Sequence, residues 1–399
     1  MTLKSKIEIT LYEILKIIPN KNADSIILNK VSLMGGISGM ILLQSTLSQY
    51  FHDKQLKKEM YENISRLIYL LENEETLTFT FCDGIAGVGW LFIYLKDKKL
   101  IEIDVDEFLD EIDVTLSNLI DLLISDENYD FLNGLVGIGI YFLKRKKYDV
   151  VKRMISSLYS KISDEFIEIK FVNENFNGNR YYDFGLAHGN AAILFFISKC
   201  YSLNILRTKC FKIIKGMVKF FFNNIQSNDS IAIFPYKIPS EQYKKDKTIQ
   251  FCRLGWCYGD LSILYTLLLV SIWINDKKLN KRVLEMLKNK TSNRKSIKQT
   301  LINDAGFCHG AAGVGYIFYK LYKLTGENFF LYTSTFWTKK TLQNSKGAGT
   351  GGKYILNIKI EKSISPWELL TGYAGIGLFL SSIISIDKNN DWDEIFLLS

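Results

Sequence analysis

Cys257 and the adjacent pair Cys308-His309 carry the side chains in this chain best suited to hold a metal. Two thiolates and a neutral imidazole make three soft-to-borderline ligands, which favour zinc over magnesium or calcium. Three protein ligands leave the fourth tetrahedral position open, as in catalytic zinc sites and unlike closed structural ones. Taken singly, each of these residues reads as an ordinary core cysteine or a satisfied histidine. Their shared position in an internal repeat overturns that reading.

The repeat is written in the glycines. A Gly-x-x-(Gly or small) element followed by a strongly apolar stretch occurs at Gly36-Ile-Ser-Gly39, Gly84-Ile-Ala-Gly87, Gly134-Leu-Val-Gly137, Gly189-Asn-Ala-Ala192, Gly259-Asp-Leu-Ser262, Gly310-Ala-Ala-Gly313 and Gly372-Tyr-Ala-Gly375. Two positions before the first glycine, repeats two to seven carry Cys82, Leu132, Ala187, Cys257, Cys308 and Leu370. One position before it they carry Asp83, Asn133, His188, Tyr258, His309 and Thr371. Two of the three histidines and three of the six cysteines thus fall in this register. If the glycine turns are equivalent, these side chains face one common mouth, and Cys257 of repeat five neighbours Cys308-His309 of repeat six.

Successive first glycines lie 48, 50, 55, 70, 51 and 62 residues apart, room for two helices each. The stretches after the glycines, such as Val88–Leu95 and Val314–Leu321, are apolar almost all round, which predicts burial on most sides. Between them lie amphipathic, charged segments such as Gln55–Glu72 and Val105–Leu123. Small residues at i and i+3 share a helical face and let backbones approach. The expectation is an all-α fold, an α/α toroid of seven inner and seven outer helices forming one domain over 1–399. Glu165–Asn173, Ser230–Tyr236 and Gly347–Ile360 resist the helical pattern and read as short hairpins or loops over the ends of the barrel.

Other residues at the expected mouth have less determined roles. His188 could be a fourth ligand that closes the site, or an acid/base group beside it; its separate repeat favours the second. Asp130, four residues before Gly134, could orient a partner, although a helix-cap role is the simpler one. Arg253 either stabilises an anion or pairs at the surface. Cys82 stands across the ring and reads as core, and His52 belongs to no register. Asp83 and Asp130 could in principle form the carboxylate pair of a glycosidase, but the Cys/His register would then serve nothing.

Bulk composition narrows the setting. The chain is 47% hydrophobic and 14% aromatic with four prolines, enough apolar material for a large core. The net charge of +8 comes from scattered clusters such as Lys144-Arg145-Lys146-Lys147 and Lys244-Lys245-Asp246-Lys247. These read as solvated helix ends and loops and not as a nucleic-acid surface; weak attraction to an acidic peptide or a membrane face is the alternative. No signal-peptide pattern opens the chain and no apolar run reaches membrane-spanning length. The expected place is the cytoplasm, where thiols stay reduced and are free for metal or catalysis.

Gly255-Trp256-Cys257-Tyr258-Gly259, Cys308-His309-Gly310 and Ala187-His188-Gly189 resemble the signature motifs of the lanthionine synthetase C-like family, which includes bacterial lantibiotic cyclases. The resemblance runs over nearly the whole chain, since all seven repeats are present. It implies an α/α toroid and one zinc ion held by Cys257, Cys308 and His309. The implied reaction adds cysteine thiols to dehydroalanine or dehydrobutyrine in a dehydrated precursor peptide. It further implies an acid/base role for His188 and site positions for Asp130, Arg253 and Tyr258. A dehydratase and a peptide exporter are the implied partners. Repeat four departs from the family pattern, with Ala192 where a second glycine is usual. No interval is long enough for the additional peptide-binding subdomain that one family cyclase carries. Alternatives on the same scaffold are glutathione addition to dehydro residues and a non-catalytic zinc-containing peptide-binding scaffold.

Overall fold

The computed structural model describes residues 1–18, 26–73, 77–162, 168–174, 178–227, 230–243, 250–344, 367–385 and 391–399. The segment Gly347–Ile360 and the start of Glu165–Asn173 lie outside these residues. Each first glycine of the repeat is the N-cap of a buried helix. These are α1 (Ile37–Phe51), α2 (Ile85–Asp97), α3 (Leu135–Lys144), α4 (Asn190–Ser202), α5 (Asp260–Trp273), α6 (Ala311–Thr325) and α7 (Tyr373–Ile384). Among the described residues seven surface helices accompany them: Leu3–Ile17, Lys54–Asn73, Asp106–Ser125, Tyr148–Ser160, Arg207–Asn223, Lys277–Met286 and Asn328–Asn344. The division matches the patterning, because the first set is apolar on all faces and the second on one.

The described residues pack as two compact units. In the unit made of 1–104 and 302–399, α6 packs on α7, α7 on α1 and α1 on α2. The last repeat thereby joins the first, and the opening helix Leu3–Ile17 lies against α7. In the unit made of 105–301, α3 packs on α4 and α4 on α5.

The glycines permit contacts that any side chain would block. A Cβ on Gly84 would stand 2.1 Å from the Thr78 carbonyl oxygen, and one on Gly36 2.3 Å from that of Lys30. That closeness lets the N–H following the glycine donate to the same carbonyl: Ile85 to Thr78 at 2.9 Å, Ile37 to Lys30 at 2.8 Å, Leu135 to Asn128 at 3.0 Å and Ala311 to Asp304 at 3.0 Å. One otherwise unpaired donor at each helix start is satisfied this way. The second glycines meet the neighbouring repeat, as where a Cβ on Gly87 would lie 2.9 Å from Leu33 Cβ. Ala192, in the same position of repeat four, is buried.

Turns are also tied to one another through backbone. In four of the repeats the carbonyl two residues before the cap glycine accepts N–H groups from the turn of the preceding repeat. Cys82 accepts from Leu33 and Met34, Cys257 from Leu186 and Ala187, Leu370 from Phe307 and Cys308, and Met34 accepts from Leu369.

A three-stranded antiparallel sheet, β1 (Asn173–Glu174), β2 (Arg180–Asp183) and β3 (Lys237–Pro239), is the β excursion of the 105–301 unit. Ser230–Tyr236, read from sequence as hairpin or loop, is loop. Ala232, Ile233 and Phe234 are buried, and the Ile233 and Phe234 N–H groups donate to the Asp260 carboxylate at the start of α5. Asp260 is fully buried and is further met by Arg294, whose Nη2 donates to the Cys252 carbonyl at 2.8 Å. Among the described residues no helix is long and apolar enough to cross a membrane.

Candidate metal centre and the groups around it

Cys257 closes the turn that leads into α5 and is 7% exposed. Its carbonyl accepts the Leu186 and Ala187 N–H groups at 2.9 and 3.2 Å, which sets the turn of repeat four, and so His188, beside it. His188 Nδ1 lies 2.7 Å from Asp130 Oδ2. The other oxygen, Asp130 Oδ1, accepts the Asn133 N–H at 2.7 Å. Asp130 therefore does both things the sequence left open: it caps its own turn and orients a partner. Asn173 fixes the histidine from behind, its Nδ2 donating to the His188 carbonyl at 2.7 Å.

Burial of the His188 ring works against a positive charge. The hydrogen bond and charge of Asp130, with Asp183 and Cys257 behind them, outweigh it and raise the histidine above its usual value. The proton on His188 is thus held more firmly than on a free imidazole.

Tyr258 follows Cys257 and faces His188, the ring centroids 6.0 Å apart and the planes 30° from parallel. Its hydroxyl is hydrogen-bonded to Tyr236, whose ring meets it edge-on at 4.5 Å. Burial foremost, then the charge of Asp183, raises the Tyr258 phenol far above its ordinary range, so it stays protonated. Arg253 is half-buried and its charge is felt by Tyr236. Lys237, opposite Asp183 in the β2–β3 ladder, sits over the rings of Tyr181 and Tyr236 at 4.9 and 5.5 Å. Asp183 itself is 1% exposed, and burial pushes its carboxyl up to about 7 although Gly185 N–H donates to it at 2.7 Å.

Cys308 and His309 lie in the turn that opens α6. The Phe307 and Cys308 N–H groups donate to the Leu370 carbonyl at 2.9 and 2.7 Å. Phe307 anchors the turn from below, stacked on Phe396 of the C-terminal segment with centroids 4.1 Å apart. His309 Nε2 lies 3.9 Å from Asp304 Oδ2. One donor atom from each of Cys257, Cys308 and His309 lies within 4.8 Å of the other two, and among the described residues no other group of three or more potential ligands forms.

Two residues weighed in the sequence are not drawn into this group. Cys82 is half-buried in the turn of repeat two, and its carbonyl takes up Leu33 and Met34. His52 ends α1 with a left-handed backbone, φ 52°, a structural C-cap. Asp183, Asp304, Tyr181, Tyr236 and Lys237 were not singled out from sequence. The two aspartates had a signal: Asp-x-Gly-x-x-His-Gly occurs at 183–189 and again at 304–310. Tyr181 and Lys237 come from strands too short to show a pattern, and Tyr236 from the loop that precedes β3.

Comparison with known proteins agrees with this architecture. Among solved structures, a nisin cyclase superposes with a TM-score of 0.76 over 99% of this chain and 97% of its own, at 18% sequence identity. At that identity the match shows the fold, an all-α helical toroid of inner and outer helices. The family model for lanthionine synthetase C-like protein matches residues 28–397, nearly the full length. On that match the chain belongs to the lanthionine synthetase C-like family.

Proposed function

We propose that this protein is a zinc-dependent lanthionine-forming cyclase, which adds cysteine thiols of a precursor peptide to its dehydroalanine or dehydrobutyrine residues. The observation that carries the proposal is the approach of two thiols and one imidazole to within 4.8 Å of one another. The donor chemistry fits zinc, and three ligands leave room for a fourth. Cys257, Cys308 and His309 would hold the ion. When bound, zinc would supply a positive charge that strips the proton from an incoming thiol, which at an ordinary pKa of about 8.5 is mostly protonated.

The remaining steps fall to side chains. Attack of the sulfur on the β-carbon builds negative charge on the carbonyl oxygen of the dehydro residue, and the α-carbon then needs a proton. His188 supplies that proton, and Asp130, on Nδ1, keeps Nε2 directed outward and the ring basic enough to be recharged. Arg253 stabilises the developing oxyanion. Tyr258, held neutral and tied to Tyr236, presents its ring and hydroxyl to the peptide. Atoms balance within the substrate: one S–H and one C=C become one S–C and one C–H.

The unsaturated residues must be made beforehand from serine or threonine, so a dehydratase acts upstream. We place the reaction in the cytoplasm, peripheral to the membrane face where an exporter would take the finished peptide.

The test is a peptide carrying cysteine and dehydrobutyrine, incubated with the enzyme with and without zinc. Cyclisation leaves the mass unchanged, so thiols are counted by alkylation and mass spectrometry. Zinc-dependent loss of alkylatable thiol above the no-enzyme control is expected. Spontaneous closure is appreciable because both partners share one chain. Loss equal to that control, with ready addition of glutathione, replaces the cyclase by the glutathione-adding alternative.

A further inference from the structure

Six residues before the cap glycine, a side chain is seated directly beneath it. A Cβ on the glycine would stand 2.5 Å from Thr78 Oγ1 at Gly84, 2.2 Å from Asn128 Oδ1 at Gly134, 2.3 Å from Asp183 Oδ1 at Gly189 and 2.1 Å from Asp304 Oδ1 at Gly310. The seat therefore takes a neutral oxygen as well as a charged one. Yet a carboxylate stands there only in repeats four and six. The others have Lys30, Thr78, Asn128, Arg253 and Pro366 at this position. Repeats four and six are also the only ones with a histidine immediately before the glycine.

In both, one carboxylate oxygen is used by the turn: Gly185 N–H donates to Asp183 Oδ1 and Gly306 N–H to Asp304 Oδ1, each at 2.7 Å. A neutral acceptor could do this much. Asp304 is only 4% exposed, and its second oxygen lies 3.9 Å from His309 Nε2. That is longer than a hydrogen bond and within reach of a strong electrostatic bias.

We propose that Asp304 is a positioning residue for His309, holding the imidazole proton on Nε2 so that Nδ1 offers its lone pair to zinc. Metal-bound histidines as a rule give their other ring nitrogen to a carboxylate or carbonyl, which fixes tautomer and ring orientation. The inference rests on His309 being a ligand. Asp183 fills the equivalent seat beside His188, whose Nδ1 is already engaged by Asp130. It thereby provides an internal control in the same seat of another repeat.

The experiment measures zinc affinity of the full-length protein by competition with a chromophoric chelator. Asp304→Asn keeps an acceptor for Gly306 and removes the charge. It should bind zinc about 10- to 100-fold more weakly, with the metal-free melting temperature close to wild type. Asp183→Asn should bind zinc as wild type does. The seat accepts asparagine in repeat three and threonine in repeat two, so Asp304→Thr is the second variant if Asp304→Asn is recovered unfolded, and the same weakening is expected. Wild-type affinity in a folded Asp304 variant overturns the proposal. So does an equal loss in Asp183→Asn, because the effect then arises in the turn and not at the imidazole. A wild-type protein that binds no zinc, or a Cys308→Ala variant that binds it undiminished, shows instead that the ligand assignment beneath the proposal is wrong.

Discussion

His188 and Asp130, 58 residues apart in the chain, meet through a 2.7 Å contact between Nδ1 and Oδ2. The pair gives the mouth of the 105–301 unit a histidine whose orientation is fixed on one side and whose proton is held above its usual strength. Its consequences can be measured.

His188→Ala should keep zinc and lose turnover by roughly 100- to 10,000-fold, the range of a general acid–base contribution. If the variant loses its metal, His188 is a fourth ligand and the site is closed.

Asp130→Asn should move the alkaline limb of the kcat profile to lower pH. Burial alone favours the neutral imidazole, and Asp130 is the leading group that opposes it. Without that carboxylate the proton leaves His188 at a lower pH, so activity that depends on the protonated ring fades earlier as pH rises. An unmoved limb would assign the titration to another group.

Metal content should be about one zinc per chain, from the single three-ligand group. Cys257→Ala and Cys308→Ala should each abolish it while far-ultraviolet circular dichroism stays near wild type. Metal analysis that finds zinc undiminished in both removes these ligands.

Asp183 makes stability depend on pH. Its folded value of about 7 is raised above the ordinary 3.8 by burial, so between these values the folded chain holds a proton that the unfolded chain has released. Stability is therefore full below about pH 4 and falls as pH rises to about 7, by on the order of 4 kcal/mol for this group alone. Urea unfolding of the metal-free protein at pH 5 and pH 8 should show a smaller decline for Asp183→Asn than for wild type. Equal declines would mean the carboxylate is ionised in the fold throughout.

Two glycines test the packing of the turns. Alanine at Gly84 would place its Cβ 2.1 Å from the Thr78 carbonyl oxygen, a clash with backbone that costs about 1–3 kcal/mol or more. Alanine at Gly326 meets nothing within 4 Å and suffers only from its left-handed φ of 73°, roughly 1–2 kcal/mol. Thermal melts should rank Gly84→Ala as the more damaging; the reverse order would refute the close-approach account.

Much of this was legible in the sequence because it repeats. The seven glycines recur with apolar stretches behind them, and each does begin a buried helix, so the periodicity carried both the elements and their phase. Cys257, Cys308 and His309 could be singled out because rare residue types shared a position that the repeat defined. The Asp130–His188 contact was less accessible: Asp130 sits four residues before its glycine, where Ser32, Thr80 and Glu368 stand in other repeats, so the position points to a turn cap and not to a histidine partner. Lys237 and Tyr181 were beyond reach, since strands of three and four residues have no period to read. Asp183 and Asp304 were in plain view, but their function depends on which oxygen is left over once the turn has used the other.

The backbone ties between turns have an evolutionary corollary. Met34, Cys82, Cys257 and Leu370 all use the same carbonyl to secure the neighbouring turn, although one has a thioether, two have thiols and one has a plain hydrocarbon. The scaffold is indifferent to what projects from these positions. A lineage can therefore install or erase a reactive group at these four repeats without renegotiating the tie between turns, and chemistry on this framework can be rewritten faster than the framework itself.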